Sequence, residues 1–453
     1  MGSNLVSLRA IMDTPTATVA FILGIALGIL GVYKCTAKSK QARARLPLTK
    51  KPTVDPNDIV SLRPPSRRHA LPPSGTFENT LDGDISATDI SLPEIRHIVG
   101  TFPDYAVLSG VPHPQPCPSG FVLEKARFRP FRPFRWRYHQ HMALMKLDPD
   151  YWLELEHGYK TSLETRHALV KEHSEKILFC NDDELTSLAC RELLEMALQF
   201  VCHRYPQYFE VRDNVFINRV LDTKTQLDKA YGRDALQILF DNIPEDFAIV
   251  TRSDDDGRYR LRAAVVCSSV GWYIGQHRGK PLHGIHAKVT DYATKMARSM
   301  DRYFARMPTD QPIQRGSWSI EEGKPLFVPH DDDRPNRDGG LHFRCDWQTL
   351  RRLPLTGAIV FNFKATFTLL TDLRTEPYVP ALLHQILNEG DQRLVTPGKC
   401  MEHTRQDVLP PLRSWADEQA KAGVVPDDWE PRTLDESPFY PGWEAVWRTA
   451  QGF

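Results

Sequence analysis

Three of the sixteen histidines of this 453-residue chain, His277, His283 and His286, fall within ten residues of one another. They lie in the run WYIGQHRGKPLHGIHAKV, residues 272–289, among Arg278, Lys280, Lys288 and the glycines Gly275, Gly279 and Gly284. A neutral imidazole is a ready metal donor near neutral pH. Glycine lets the backbone turn tightly enough to aim one. The run follows a β-patterned segment, residues 259–266, in which Tyr259, Leu261, Ala263 and Val265 alternate with Arg258, Arg260 and Arg262. A strand feeding a glycine-bearing, histidine-rich loop is a place to hold a metal ion or a haem.

Other clusters carry weaker signals. The stretch FRPFRPFRWRYHQH, residues 128–141, alternates arginine with aromatic rings, as a nucleic-acid platform would. No RNA-binding signature accompanies it, and it reads as a strand that docks its rings in the core. His139 and His141 form an H-x-H pair that lacks a third ligand. Asp331, Asp332 and Asp333 bring three carboxylates into a polar, turn-rich loop, which reads as solvated surface. Ser268 and Ser269 stand near histidines, but no G-x-S-x-G elbow is present, nor a GxGxxG or Walker signature.

The elements that must position these groups follow from periodicity. Residues 247–250, 259–266, 313–320, 341–348 and 358–363 read as strands; in the fourth, Leu341, Phe343, Cys345 and Trp347 alternate with polar partners. Helices are expected from Leu147, where Asp148 precedes Pro149, and after the cap at residues 181–183. Further helices should end near residues 235–239 and span residues 292–304, 378–388 and 412–422. Helices mixed with consecutive strands make an α+β pattern. Basic and acidic residues balance at 57 each, so the total charge does not indicate DNA as a partner. Eight scattered cysteines without a C-x-x-C pair read as reduced thiols.

Residues 17–33, ATVAFILGIALGILGVY, carry no charge and as a helix would span roughly 25 Å, at the short end for a membrane. Gly24 and Gly28 have G-x-x-x-G spacing. Only Arg9 precedes the run, whereas Lys34, Lys38, Lys40, Arg43 and Arg45 follow it. The basic flank should stay cytosolic and keep the C-terminal part there, in a thin bilayer such as the endoplasmic reticulum. The expected layout is a tail at 1–16 and a transmembrane helix at 17–33. A basic, then Pro-rich linker at 34–100, a large domain at 101–430 and a tail at 431–453 complete it.

Five segments in order carry a resemblance: WRYHQHMALMKLDPDYWLELEHGY, GWYIGQHRGKPLHGIHAKV, MDRYFARM, QRGSWSI and WQTLRRLPLTGAIVFNF. Together they resemble the haem-dependent oxidative N-demethylase α-subunit-like family, from about residue 135 to 373, with membrane-anchored members of a fungal type. The resemblance implies a PAS-like antiparallel sheet with flanking helices around haem b. It implies oxygen activation there, oxidative removal of a methyl group from an amine, and electrons from a separate flavin and iron–sulfur reductase. Ala143 stands where the family usually has glycine, Asp346-Trp347 where it has an acidic–arginine pair, and Lys364 and Thr366 where arginine and tyrosine are expected. These departures bear on the amine substrate more than on the haem.

A haem needs an axial donor, dry walls and cations near its propionates. His286 is the first choice as donor, then His283 and His277. Arg315, Arg344, Arg351 and Arg352 are the cation candidates, and Trp272, Trp318 and Trp347 the walls. Asp346 is the candidate acid for proton management. The leading reading is a haem-dependent monooxygenase acting on a small molecule, not on nucleic acid. The rivals are a haem- or ligand-binding sensor without catalysis and a glycosyltransferase using Asp331–Asp333.

Overall fold

Segments rich in β-branched and aromatic side chains alternate with helical stripes, and the chain builds a mixed α+β body from them. The structure, a computed structural model, describes residues 90–330, 339–396 and 398–451. The expected anchor at 17–33, most of the linker, and Asp331, Asp332 and Asp333 lie outside the described residues. Among the described residues no helix is long and apolar enough to cross a membrane.

In chain order the described strands are β1 (Met145–Lys146), β2 (Leu178–Cys180), β3 (Phe209–Arg212), β4 (Val215–Asn218), β5 (Thr223–Gln226) and β6 (Asp246–Arg252). Then follow β7 (Tyr259–Val265), β8 (Ser269–Val270), β9 (Ile313–Glu322), β10 (Phe327–Val328), β11 (Leu341–Arg352) and β12 (Ile359–Leu369). Seven of them form one antiparallel sheet in the order β1-β9-β11-β12-β6-β7-β2. β3, β4 and β5 form a small antiparallel sheet, and β8 pairs with β10 in parallel.

Both faces of the large sheet are covered. Successive side chains of a strand point to opposite faces, and the two faces feed two clusters. Phe247, Ile249, Trp318, Phe343, Cys345, Trp347 and Val360 pack with the helix Glu184–Arg204 in the larger one. Ala248, Val250, Leu261, Ile313, Leu350, Ile359 and Phe363 face Leu282, Tyr292, Met296, Met300 and Phe304 in the smaller one. Each fully buried Leu or Phe contributes about 1.5–3 kcal/mol.

Several expectations need correction. Residues 128–141 are not a strand: Pro130 and Pro133 lack the N–H a ladder needs, and the chain runs irregularly while Phe131 and Phe134 still bury their rings. Asp148 caps only a single turn, Pro149–Tyr151; the helix Tyr159–His173 begins after Gly158, and Trp152 and Leu155 are buried from non-helical chain. Ile90, within the stretch read as linker, is already buried. There Ser91 and Glu94 form a reciprocal cap on the helix Leu92–Ile98. In the tail beyond residue 430, Tyr440 is buried, and Trp447 Nε1 donates to the Arg127 carbonyl at 2.8 Å.

The start of β6 is locked to the end of β7 through one carboxylate. Asp246 accepts from Arg166 Nη1 at 2.5 Å, from the Cys267 amide at 2.9 Å and from the Ser268 amide at 2.8 Å, and it takes the Ser268 hydroxyl as well. Ser268 is thereby a structural donor, not a nucleophile. Asp246→Ala strands the buried Arg166 guanidinium and should cost about 3–5 kcal/mol. Urea denaturation checks this, and a loss below about 1 kcal/mol contradicts the structural reading.

Candidate functional site

The histidine run lies along the free edge of β7. Gly279 N donates to the Leu261 carbonyl at 2.8 Å and Leu261 N to the Lys280 carbonyl at 3.1 Å, beyond the point where β2 stops pairing. The turn Ile274–His277 presses on the chain at Glu175, where a Cβ on Gly275 would come within 2.5 Å of the Glu175 carbonyl oxygen. The single turn Leu282–Ile285 then ends at His286.

His286 is held for ligation. Its Nδ1 lies 2.8 Å from the Leu282 carbonyl, which can only accept, so Nδ1 carries the proton and Nε2 keeps its lone pair. The ring stacks on Tyr292 at 4.9 Å with 9° between planes. Burial, and secondarily the charge of Arg315, lower its pKa, so it is neutral at pH 7.

One cation whose charge reaches it lacks a counter-ion. Arg315, on β9, makes no hydrogen bond or ion pair with any described residue, and its Nε is sealed from solvent without a partner. Burial lowers its pKa, against the influence of Tyr138. Burial also pushes the Lys399 ammonium down to about 8, against the pull of the Asp346 carboxylate; its Nζ donates to the Trp318 carbonyl at 2.8 Å and Ser317 Oγ at 3.2 Å. His277, with a buried unpartnered Nδ1, and His141 are each lowered to about 4, mainly by burial; Lys280 and His286 add to the first, Arg135, His139 and Arg315 to the second. His141 Nδ1 accepts the Ala143 amide at 2.9 Å.

The other expected residues scatter. His283 is exposed, its Nδ1 3.3 Å from Arg258 Nη1. Arg344 is tied to Asp346 at 2.9 Å and to the Pro325 carbonyl at 2.8 Å, so this pair shares one charge balance. Arg352 gives its guanidinium to the carbonyls of Met307 and Gly357, at 2.6 and 2.8 Å, and to the Tyr259 hydroxyl at 2.7 Å. It staples a loop, with four of its five donors taken once the Phe304 carbonyl is included. Arg351 and Trp318 face the larger cluster, as does Trp347, whereas Trp272 joins the smaller one beside His277, ring to ring 6.0 Å. Of the expected set, His286, His277, Arg315 and Trp272 share the loop side of the sheet. Lys399, Tyr138 and Tyr292 were missed. A lone lysine in the turn TPGKC and tyrosines at core spacing carry no sequence signal.

A family model described as haem-dependent oxidative N-demethylase, alpha subunit-like, matches residues 143–409, more than half of the chain. The chain belongs to this family. No curated protein matches it at a significant level. The residues present fit the haem the family description names. An imidazole with a free Nε2, a buried guanidinium without a counter-ion and an apolar wall meet the needs of iron, propionate and macrocycle respectively. Among the described residues no group of three or more His, Cys, Asp or Glu could hold a bare metal ion; a haem iron requires only one donor.

The backbone at position 143 favours a residue without a side chain. Ala143 adopts φ 53°, the left-handed region that favours glycine. Ala143→Gly should stabilise the protein by about 1 kcal/mol, read as a raised urea midpoint. The depressed histidines fix a pH dependence. The unfolded chain takes up their protons near pH 6.5 and the folded one only near 4. Stability is therefore full above about 6.5 and falls as pH drops towards 4. The double variant His141→Gln, His277→Gln should flatten part of that fall in melting temperature against pH; an unchanged slope contradicts it.

Proposed function

We propose that the chain is a membrane-anchored, haem-dependent oxidoreductase in which His286 Nε2 is the axial donor to haem b. Its reaction is oxidative demethylation of an amine or a related specialised metabolite, with electrons supplied by a separate flavin and iron–sulfur reductase. The single observation that carries the reading is the Leu282 carbonyl fixing His286 in the Nδ1–H tautomer, with Arg315 unpaired nearby. A haem bound here would supply the oxygen chemistry.

The chain's own residues would do the rest. His286 binds, and burial keeps it unprotonated. Arg315 and Lys399 offer charge to the propionates. Trp272, Tyr292 and Met296 exclude water beside the ring. Asp346, bonded to Arg344, would be the carboxylate that serves proton management. The apolar run at 17–33 and the basic residues after it support a single span in the endoplasmic reticulum membrane with the catalytic part cytosolic, in a fungal-type member of the family. The antiparallel sheet with helices on its faces supports a PAS-like frame for the haem.

The test uses the full chain expressed with haem supplied. His286→Ala should abolish the Soret band and stoichiometric haem, whereas His283→Ala should leave both intact. Arg315→Met should keep the band but weaken haem retention about tenfold or more. Full haem content in folded His286→Ala sinks the ligand assignment. Substrate-dependent oxygen consumption with a reductase present separates an enzyme from a haem-binding sensor.

A further inference from the structure

The sheet face opposite the histidine run holds a second cation without a counter-ion. Arg351 is only 8% exposed. It makes no hydrogen bond or ion pair with any described residue, and its Nε is sealed without a partner. Its one close companion is the Trp152 ring, 4.1 Å from Cζ. Burial pushes its guanidinium down to about 10. Its buried neighbours behave differently. Arg129 holds Glu154 at 2.6 Å, Arg132 holds Glu376 at 2.5 Å and Arg191 holds Glu195 at 2.9 Å.

Arg351 lines a small cleft, with about 30 Å³ of free space, between the helix Glu184–Arg204 and the chain at residues 105–114. Tyr105, Val111, Pro112, Met196 and Phe200 give it apolar walls. Its other polar groups are engaged. Gln199 accepts the Tyr105 amide at 3.2 Å and donates to the Pro103 carbonyl at 2.6 Å, while His113 Nε2 lies 3.0 Å from Asp104. No wall group offers a negative charge to the guanidinium.

We propose that this cleft binds a small monocarboxylate, with Arg351 as its anion receptor, at a site separate from His286. A guanidinium presents paired N–H donors in the plane and spacing of a carboxylate. The apolar walls suit a short hydrocarbon tail. A phosphate or a dicarboxylate would bring more charge than one guanidinium balances in a dry cleft. The space has room for about two waters, and so selects the smallest such acids, with a tail of one or two carbons.

Thermal unfolding of the full chain, haem supplied, is followed with sodium acetate, propionate or butyrate against sodium chloride at equal ionic strength. The expected result is a saturable, carboxylate-specific rise in melting temperature of about 1–3 °C. His286→Ala should retain it, which keeps this site distinct from the haem reading. Arg351→Met should abolish it while melting no lower than the wild type without carboxylate, because it removes an unpaired buried charge. Arg351→Lys should bind at least tenfold more weakly. An equal rise with chloride, or no rise with any carboxylate, overturns the proposal. So does a carboxylate response that persists in Arg351→Met.

Discussion

A sheet buried on both faces leaves no wet surface on which a charge can rest. Every ionised side chain on it must therefore be paired, be satisfied by carbonyls, or await a ligand. Most of the buried arginines meet the first two conditions. Arg129, Arg132, Arg166 and Arg191 each hold a carboxylate, and Arg352 is wrapped by oxygen acceptors. Arg315 and Arg351 do neither, one on each face. In a fold this consistent elsewhere, those two exceptions are where the two proposed ligands are sought.

The histidine run depends on the same sheet for its aim. β7 outlasts β2, and the exposed backbone of β7 at Leu261 is taken up by Gly279 and Lys280. Gly275 lets the run sit against Glu175. Once those contacts are made, the short turn after Pro281 has little freedom, and His286 lands where its own helix carbonyl fixes the tautomer. Position along the run thus separates three similar histidines. His286 at the end of the turn faces inward, His283 one turn earlier faces water, and His277 packs by Trp272.

How much of this was legible in the sequence depended on whether the signal was local. Strand alternation is local, and β7, β9, β11 and β12 were read from it, although each of the last three runs on beyond its expected end. The cap at Asp183 was equally plain. The helix Glu402–Lys421 was read ten residues short because it runs through Pro410 and Pro411, which pattern reading treats as a stop. The candidate site was only partly legible. Spacing could nominate His286 and Arg315, but which arginines find a carboxylate is decided by contacts far apart in sequence. Arg352 and Arg351 are neighbours in the chain, and the pleat alone sends one into a cage of oxygens and the other into an open cleft. Lys399 reaches the sheet only because residues 399–400 run beside Ile320 at the outer edge of β9.

The positive surplus near His286 also links two requirements that would otherwise conflict. A histidine ligand must be neutral to offer its lone pair, and a propionate needs cations nearby. Burial lowers the His286 pKa, the bond to the Leu282 carbonyl opposes it, and Arg315 adds to the lowering. The group that would balance a propionate is thus one that keeps the imidazole deprotonated while the anion is absent. A carboxylate built into the protein beside Arg315 would both raise the histidine pKa and occupy the guanidinium. Asp346, the nearest acidic candidate on β11, is kept from that role by its bond to Arg344.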